Sequence, residues 1–239
     1  MKLSFCSTCK GRLWQLRETL NANLESIKDN PEVEWVILDF NCPDKTSDVL
    51  SKYPPARRAI ESGQLKVFKL NKEFKFDIPL AKNLAHMLGT GDVLFNLDID
   101  NLIGDSVPQL IHLLDTQMMH TDHMYVTGTV GRIGLTRRRF DELGGYDLSL
   151  YGAGAHDIDL IARAKRSGCT EILERNIPKA IGNSKAETTK FLDQDYHFYL
   201  KNQYRRYKEN TARKTVSVNP NGNTIQDDVN LLEFVEQVL

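Results

Sequence analysis

The first hundred residues alternate between short apolar segments and helices with one apolar face. The apolar segments span residues 3–7, 35–40, 65–70 and 92–97. Between the first two, apolar residues recur at steps of three and four from Leu13 to Ile27, which is the spacing of an amphipathic helix. The other two gaps hold a short helix and a helix that Pro79 opens and Gly89 closes. This alternation predicts an α/β fold with a mostly parallel, Rossmann-like sheet flanked by helices.

The second half of the sequence is less regular and predicts a small antiparallel extension. Its predicted elements are two short strands around residues 124–126 and 132–136, a helix from about Arg138 and a helix from His156. Further on we expect a tyrosine-rich helix over residues 193–210, a turn-rich break over residues 217–224 and a last short helix ending at Leu239.

These patterns predict one domain followed by a tail. The domain covers residues 1–185, with halves over residues 1–101 and 102–185, and the helical C-terminal tail covers residues 186–239.

The charge balance gives no reason to expect nucleic acid as a partner, because Lys plus Arg total 31 against 32 for Asp plus Glu. The N-terminus becomes polar too early for a secretory signal, and no apolar run approaches the length of a transmembrane segment. We therefore expect a cytoplasmic protein. Cys6 and Cys9 form a lone C-x-x-C pattern, for which we expect a buried thiol at Cys6 and a loop thiol at Cys9. A redox pair and half of a zinc site are the alternatives.

Two aspartates, Asp98 and Asp100, follow the fourth apolar segment. In an extended backbone, positions i and i+2 point the same way, so both carboxylates would meet at one spot. Carboxylates there suit Mg²⁺ or Mn²⁺, completed by water and by the phosphates of a substrate. An EF-hand is excluded because Ile103 and Gln109 stand where that loop needs Gly and Glu. The alternative is a cap for a helix over residues 107–114.

Three other polar residues fall where such a sheet binds ligands, outside the carboxyl ends of its strands. Asp39 ends the second apolar segment. Lys82 and Asn83 stand near the start of the helix that precedes the aspartate pair, where they can face a phosphate.

A glycine-rich loop over residues 151–155 runs into the predicted helix at His156. Glycines allow a close approach between backbone and ligand. Asp157 lies in the first turn of that helix, where free amide groups keep a carboxylate ionised and able to act as a general base. The alternative is that Asp157 or Asp159 only caps the helix.

The chain resembles GT-A glycosyltransferases of the family 2 type, and its C-terminal half is similar to the galactosyltransferase and N-acetylgalactosaminyltransferase branch. The resemblance covers roughly residues 1–185 and rests on four segments: SFCSTCKGRL, ILDF, AKNLAHMLGTGDVLFNLDIDN and RRRFDELGGYDLSLYGAGAHDIDLIARA. It implies the GT-A fold, a nucleotide-sugar-binding half over residues 1–101 and an acceptor and catalytic half over residues 102–185.

On the donor side, the resemblance implies binding of the nucleotide-sugar by Thr8, Arg12, Asp39, Lys82, Asn83 and Asp98. Asp39 would contact the nucleobase, and Lys82 or Asn83 the diphosphate. Mn²⁺ or Mg²⁺ would be held by Asp98, Asp100 and a third residue. Asn183 stands where family members often have a histidine for this purpose, and His197 is the alternative.

On the acceptor side, the resemblance implies that Asp157 is the catalytic base of an inverting displacement. Tyr151, Gly154 and His156 would bind the acceptor. The family loop reads like WGWGGEDDD and this chain has YGAGAHDID, so His156 replaces a glutamate.

The expected function is therefore metal-dependent, inverting transfer of a sugar from a UDP-sugar to a hydroxyl of a saccharide, lipid-linked or protein acceptor. A non-catalytic nucleotide-sugar binder is the first alternative. A sugar nucleotidyltransferase is the second and weaker one, because the CSTCKGRL segment has one glycine where those enzymes have a glycine-rich loop.

The tail interleaves aromatic and basic residues from Tyr196 to Tyr207. Such a stretch can stack sugar rings, make a peripheral membrane contact or pair with a second subunit in a homodimer. We expect instead that the helix packs its aromatic side on the main domain, since aromatic residues at helical spacing usually belong to a core.

Overall fold

The computed structural model describes residues 1–104, 106–116, 123–127, 131–174, 179–220 and 231–238. Its strands are β1 (Leu3–Cys9), β2 (Val33–Asp39), β3 (Leu65–Leu70), β4 (Val93–Asn96), β5 (His123–Thr127), β6 (Ile133–Thr136), β7 (Thr170–Glu174) and β8 (Val235–Val238). Its helices are α1 (Leu13–Ile27), α2 (Thr46–Lys52), α3 (Pro54–Glu61), α4 (Ile78–Leu88), α5 (Ser106–Asp115), α6 (Arg137–Glu142), α7 (His156–Arg166), α8 (Lys185–Thr189) and α9 (Tyr196–Ala212).

The strands form one sheet in the order β7-β5-β6-β4-β1-β2-β3-β8. Strands β4, β1, β2 and β3 are parallel neighbours, and β6 joins this group antiparallel to β4. The mostly parallel sheet predicted from the sequence is therefore confirmed. Because β1 and β4 are adjacent and parallel, their carboxyl ends meet at one edge and bring the segments after them together.

Both faces of the sheet are covered, so the central strands are buried on each side. Phe5 packs in one layer with residues of α1 and β2, whereas Cys6 packs in the opposite layer with residues of α4 and β4. Neighbouring residues of a strand point to opposite faces, which accounts for this division.

This alternation also separates Cys6 from Cys9, which lie three positions apart on β1 and therefore on opposite faces. They cannot act as a C-x-x-C pair. The expected loop thiol at Cys9 is wrong, because Cys9 is the last residue of β1 and fully buried. Burial raises the pKa of the Cys6 thiol far above its ordinary value.

The end of the chain differs from the prediction. A 3-10 turn (Leu231–Phe234) leads into β8, which pairs antiparallel with β3 at the edge of the sheet. The expected last helix is therefore wrong over residues 235–238. Residues 221–224 of the predicted turn-rich break and Leu239 lie outside the described residues. No helix in the described part of the chain has the length and apolar character needed to cross a membrane.

Candidate functional site

A cleft of about 310 Å³ opens at the carboxyl ends of β1 and β4. It is bounded by the turn after β4, the start of α7 and the segment that carries α8. Nine of the twelve site residues proposed from the sequence line it: Thr8, Arg12, Lys82, Asp98, Asp100, Gly154, His156, Asp157 and Asn183.

The two aspartates after β4 reach the cleft through a turn. The amide N–H of Asn101 donates to the carbonyl of Asp98 at 2.9 Å, which closes residues 98–101 into a turn in place of the expected extended backbone. Ile99, between the two aspartates, points into the core and is 4% exposed. Its burial holds the turn in place. Asp98 and Asp100 are left at the cleft on either side of Ile99.

The surroundings of these carboxylates favour a cation. Burial, and then the negative charge of Asp98, raise the pKa of Asp100 to about 6, against the opposing charge of Arg12. A cation bound beside Asp100 would favour the ionised form of this carboxyl. A Cβ at position 131 would stand 2.9 Å from Asp98 Oδ2 and crowd it. Because residue 131 is a glycine, this oxygen has the space it needs.

Asn183, the proposed third metal ligand, forms hydrogen bonds with neighbouring side chains through both its oxygen and its nitrogen. Asn183 Oδ1 accepts hydrogen bonds from Arg12 Nη1 and Gln15 Nε2, both at 2.6 Å, and its Nδ2 donates to Asp100 Oδ2. The nitrogen of Asn183, not its oxygen, therefore faces the acidic pair. His197 is exposed and does not line the cleft. Within the described ranges, no group of three or more His, Cys, Asp or Glu side chains is placed to hold a metal ion.

The acidic pair nevertheless fits Mg²⁺ or Mn²⁺, which proteins often bind through one or two carboxylates with water and substrate phosphates as the remaining ligands. Asp98 and Asp100 both line the cleft and supply those carboxylates.

A buried lysine joins the acidic pair to Asp157. Lys82 Nζ lies 2.8 Å from Asp157 Oδ1 and 3.2 Å from Asp98 Oδ1, and its side chain is 4% exposed. Burial alone would lower the pKa of Lys82, but the charges of Asp157 and then Asp98 outweigh burial and raise it. The ammonium group is therefore charged and fixed between the two carboxylates.

Asp157 is held in its ionised form. Burial would raise the pKa of this carboxyl, but His156 and Lys82 outweigh burial and lower it well below its ordinary value. His156 Nε2 lies 3.3 Å from Asp157 Oδ2, and the first turn of α7 adds the favourable end of the helix dipole.

Asp77 positions both Lys82 and the glycine-rich loop. Its Oδ2 accepts from the amide of Leu80 at 3.2 Å and caps α4, and its Oδ1 accepts from the amide of Gly152 at 2.7 Å. The start of α4 and the loop before α7 are thus tied to one carboxylate. Burial raises the pKa of Asp77 to about 6.

Helix α9 supports the same loop from outside. Gln203 accepts from the amide of Ala155 and donates to the carbonyls of Leu150 and Tyr151. Gly152 has φ +95°, and a Cβ there would overlap the ring of Tyr199 at 2.1 Å. The tail predicted from the sequence therefore packs directly on the segment that shapes the cleft.

Three of the expected site residues lie outside the cleft lining, and their contacts explain why. Asp39 is 1% exposed, and its two carboxylate oxygens accept hydrogen bonds from the amides of Cys42 and Ser47, at 2.7 and 2.8 Å. Asn83 is fully buried and exchanges two hydrogen bonds with the backbone of Tyr146. Tyr151 packs against Tyr199, with ring centroids 5.7 Å apart. In this structure the three side chains contact other parts of the protein, and their expected ligand contacts stay predictions.

Other cleft residues were not among the twelve site residues proposed from the sequence. Lys10, Phe191 and Tyr196 line it, and the ring of Phe191 covers Gly11, where φ is +64°. A signal for α8 was present, since Ser184 and Glu187 have the spacing of a capping box and form one. Nothing in the sequence marked Phe191 as a neighbour of Gly11, because that contact depends on the tertiary fold.

Comparison with known proteins gives likenesses of fold. No family model matches the chain, and no curated protein matches it. The structure is similar to the mannosyltransferase PcManGT from Pyrobaculum calidifontis in complex with GDP-Man and Mn²⁺, at TM-score 0.66 and 15% identity, over 89% of this chain and 64% of that one. It is also similar to S. aureus TarS 1-349 in complex with UDP, at TM-score 0.61 and 14% identity, over 92% of this chain and 76% of that one.

A third similar structure is the catalytic domain of Drosophila beta1,4galactosyltransferase 7 in complex with xylobiose, at TM-score 0.50 and 13% identity, over 82% of this chain and 74% of that one. The chain thus spans 64% of the mannosyltransferase. At these identities the likeness establishes the fold, and this protein has the GT-A fold.

Proposed function

We propose that the protein is a metal-dependent, inverting glycosyltransferase that moves a sugar from a nucleotide-sugar, a UDP-sugar in our proposal, to an acceptor hydroxyl. One observation carries this: Asp98 and Asp100 share a cleft with Asp157, and Lys82 joins the two sides. The similar structures support it, since they hold GDP-Man with Mn²⁺ and UDP. The finer likeness of the C-terminal half to galactosyltransferases is part of the same proposal.

On the donor side, Asp98 and Asp100 would hold Mn²⁺ or Mg²⁺. When bound, the ion would supply positive charge to the leaving diphosphate. Thr8 and Arg12 line the part of the cleft next to β1 and would bind the nucleotide. Lys82 has three N–H donors and points two at carboxylates, which leaves one for the substrate.

On the acceptor side, Asp157 would accept the proton of the attacking hydroxyl. Its lowered pKa keeps it in the deprotonated form that a general base requires. A hydroxyl activated at Asp157 would attack the sugar on the side opposite the leaving diphosphate, and the configuration would invert. Gly154 and His156 line this part of the cleft and would contact the acceptor.

Nucleotide-sugar binding without turnover is the second candidate. Lys82 already neutralises part of the charge of both Asp98 and Asp157, an arrangement that would also serve a binding site. A turnover measurement separates the two candidates.

The experiment measures nucleotide release from UDP-sugars and GDP-sugars, with and without Mn²⁺, in the presence of saccharide acceptors. We expect Mn²⁺-dependent release from at least one donor, and a loss of about 100-fold or more in Asp157→Asn, which keeps the shape but loses the base. Asp141→Asn changes an exposed carboxylate of α6 outside the cleft and should match the wild type. Donor binding without release would identify a binder, and an active Asp157→Asn variant would contradict the assigned base.

A further inference from the structure

Helix α9 has two faces of opposite character. A helix turns about 100° per residue, so Tyr199, Gln203 and Asn210 lie on one side, and all three are buried. The opposite side is exposed, and we name it the outer face of α9; its main residues are His197, Phe198, Lys201, Tyr204, Arg205 and Lys208.

The outer face carries positive charge and no carboxylate. Glu209 is the one acidic residue of α9 and lies at the edge of this face, 3.3 Å from both Arg205 and Arg206. Lys201 and Lys208 have no ion-pair partner among the residues that the structure describes. This local excess of cations contrasts with the whole chain, whose formal net charge is −1.

Two aromatic side chains stand among these cations. Phe198 is 49% exposed and Tyr204 is 42% exposed, so the expectation that this helix buries its aromatic residues holds for Tyr199 and fails for these two. Aromatic rings beside lysine and arginine on one helix face match the boundary between lipid headgroups and acyl chains, where rings enter and cations meet anionic headgroups.

We propose that the outer face of α9 docks the protein on the surface of a bilayer that contains anionic lipids. Charge complementarity favours this occupant over a second copy of the chain, because a two-fold pair would set cations against cations. The charge of the whole chain favours it over nucleic acid, since Asp and Glu outside α9 leave no overall positive charge for a polyanion.

The position of α9 connects this surface to the cleft. Tyr196, the first residue of the helix, lines the cleft, and His197 and Phe198 follow it on the outer face. Docking would therefore hold the rim of the cleft at the bilayer. On the proposed function, on which this step rests, the acceptor would be a lipid-linked hydroxyl compound.

The test is co-sedimentation of the full chain with vesicles. We expect binding about tenfold tighter to phosphatidylcholine vesicles with about 30% phosphatidylglycerol than to phosphatidylcholine alone, and weaker binding as salt rises. The triple variant Lys201→Glu, Arg205→Glu, Lys208→Glu should lose this preference. Phe198→Ser should reduce binding even at high salt, because the ring contributes by entering the interface.

A matched control reverses the same number of exposed cations elsewhere, with Lys52→Glu, Arg57→Glu and Arg58→Glu at α2 and α3. This control should keep the preference for anionic vesicles. An equal loss in both triple variants, equal binding to both vesicle types, or tighter binding to a single-stranded RNA oligonucleotide would overturn the proposal. Thermal stabilisation by UDP with Mn²⁺, measured on the α9 triple variant, keeps a failure of lipid binding distinct from a failure of donor binding.

Discussion

At the scale of single residues, the site depends on a buried charge, the ammonium group of Lys82. Lys82 is almost fully buried, and it is stable there because Asp157 and Asp98 lie within 3.2 Å of its ammonium group. Removing one partner of a buried ion pair leaves an uncompensated buried charge. The resulting loss of folding stability is larger than the net stability that the pair contributes.

Lys82→Met should therefore lower the free energy of unfolding by about 3–5 kcal/mol, since Asp157 is left buried without its cation. The double variant Lys82→Met, Asp157→Asn removes that charge as well and should be more stable than Lys82→Met alone. Urea unfolding of the two single variants and the double variant measures this coupling. Strictly additive losses would show that Lys82 and Asp157 do not stabilise each other.

A second buried carboxylate predicts a dependence on pH. Asp77 has a pKa raised to about 6, above the ordinary 3.8, so the folded state binds its proton more tightly than the unfolded state does. The corresponding stability is fully present below about pH 4 and is lost as the pH rises to about 6, by up to about 3 kcal/mol.

Asp77→Asn should remove this part of the pH dependence while costing a roughly constant amount, about 1 kcal/mol, for the weakened cap of α4. The measurement is the free energy of unfolding of wild type and variant across the same pH range. Parallel curves would contradict the assignment to Asp77.

At the scale of elements, the glycine-rich loop is shaped by a helix that is distant in sequence. Tyr199 and Gln203 of α9 fix the backbone of residues 150–155, and Asp77 fixes it from the side of α4. The loop is thus held from one side by α9 and from the other by the start of α4.

Two glycines allow this packing to be measured. Gly152 has φ +95° beside Tyr199, and Gly168 has φ +94° with nothing within 4 Å of an added Cβ. Gly168→Ala should cost about 1–2 kcal/mol from the backbone conformation alone. Gly152→Ala should cost clearly more, because Tyr199 must also move. Equal losses of melting temperature in the two variants would show that α9 does not hold the loop.

The elements themselves were predictable where local pattern and tertiary environment agree. Strand β3 was predicted at its observed bounds, and α1 and α4 were predicted to within a residue or two. Strand β8 was missed because its few residues become a strand only by pairing with the edge of β3. The turn at Asp98 was predicted as extended because spacing alone cannot show that Ile99 is drawn into the core.

At the scale of the whole molecule, the sheet order decides which residues meet. Parallel pairing of β1 with β4 brings Arg12 near Asp100, and α4 brings Lys82 to Asp157 across 75 positions of sequence. Residue type, position and the family resemblance together predicted nine of the eighteen described residues that line the cleft. They could not show that the side chains of Asp39 and Asn83 accept hydrogen bonds from the backbone amides of Ser47 and Tyr146, because these contacts depend on the tertiary fold.

The most direct test of the central claim, that Asp98 and Asp100 form a metal-dependent donor site, is calorimetric titration of UDP into the protein with Mn²⁺ or with EDTA, with GDP titrated in parallel. Binding of UDP should be at least about tenfold tighter with Mn²⁺, and Asp100→Asn should abolish that difference, as expected when a carboxylate ligand is lost. Asp141→Asn should retain it. Nucleotide binding of equal strength in EDTA, or a Mn²⁺ effect that survives in Asp100→Asn, would contradict the claim.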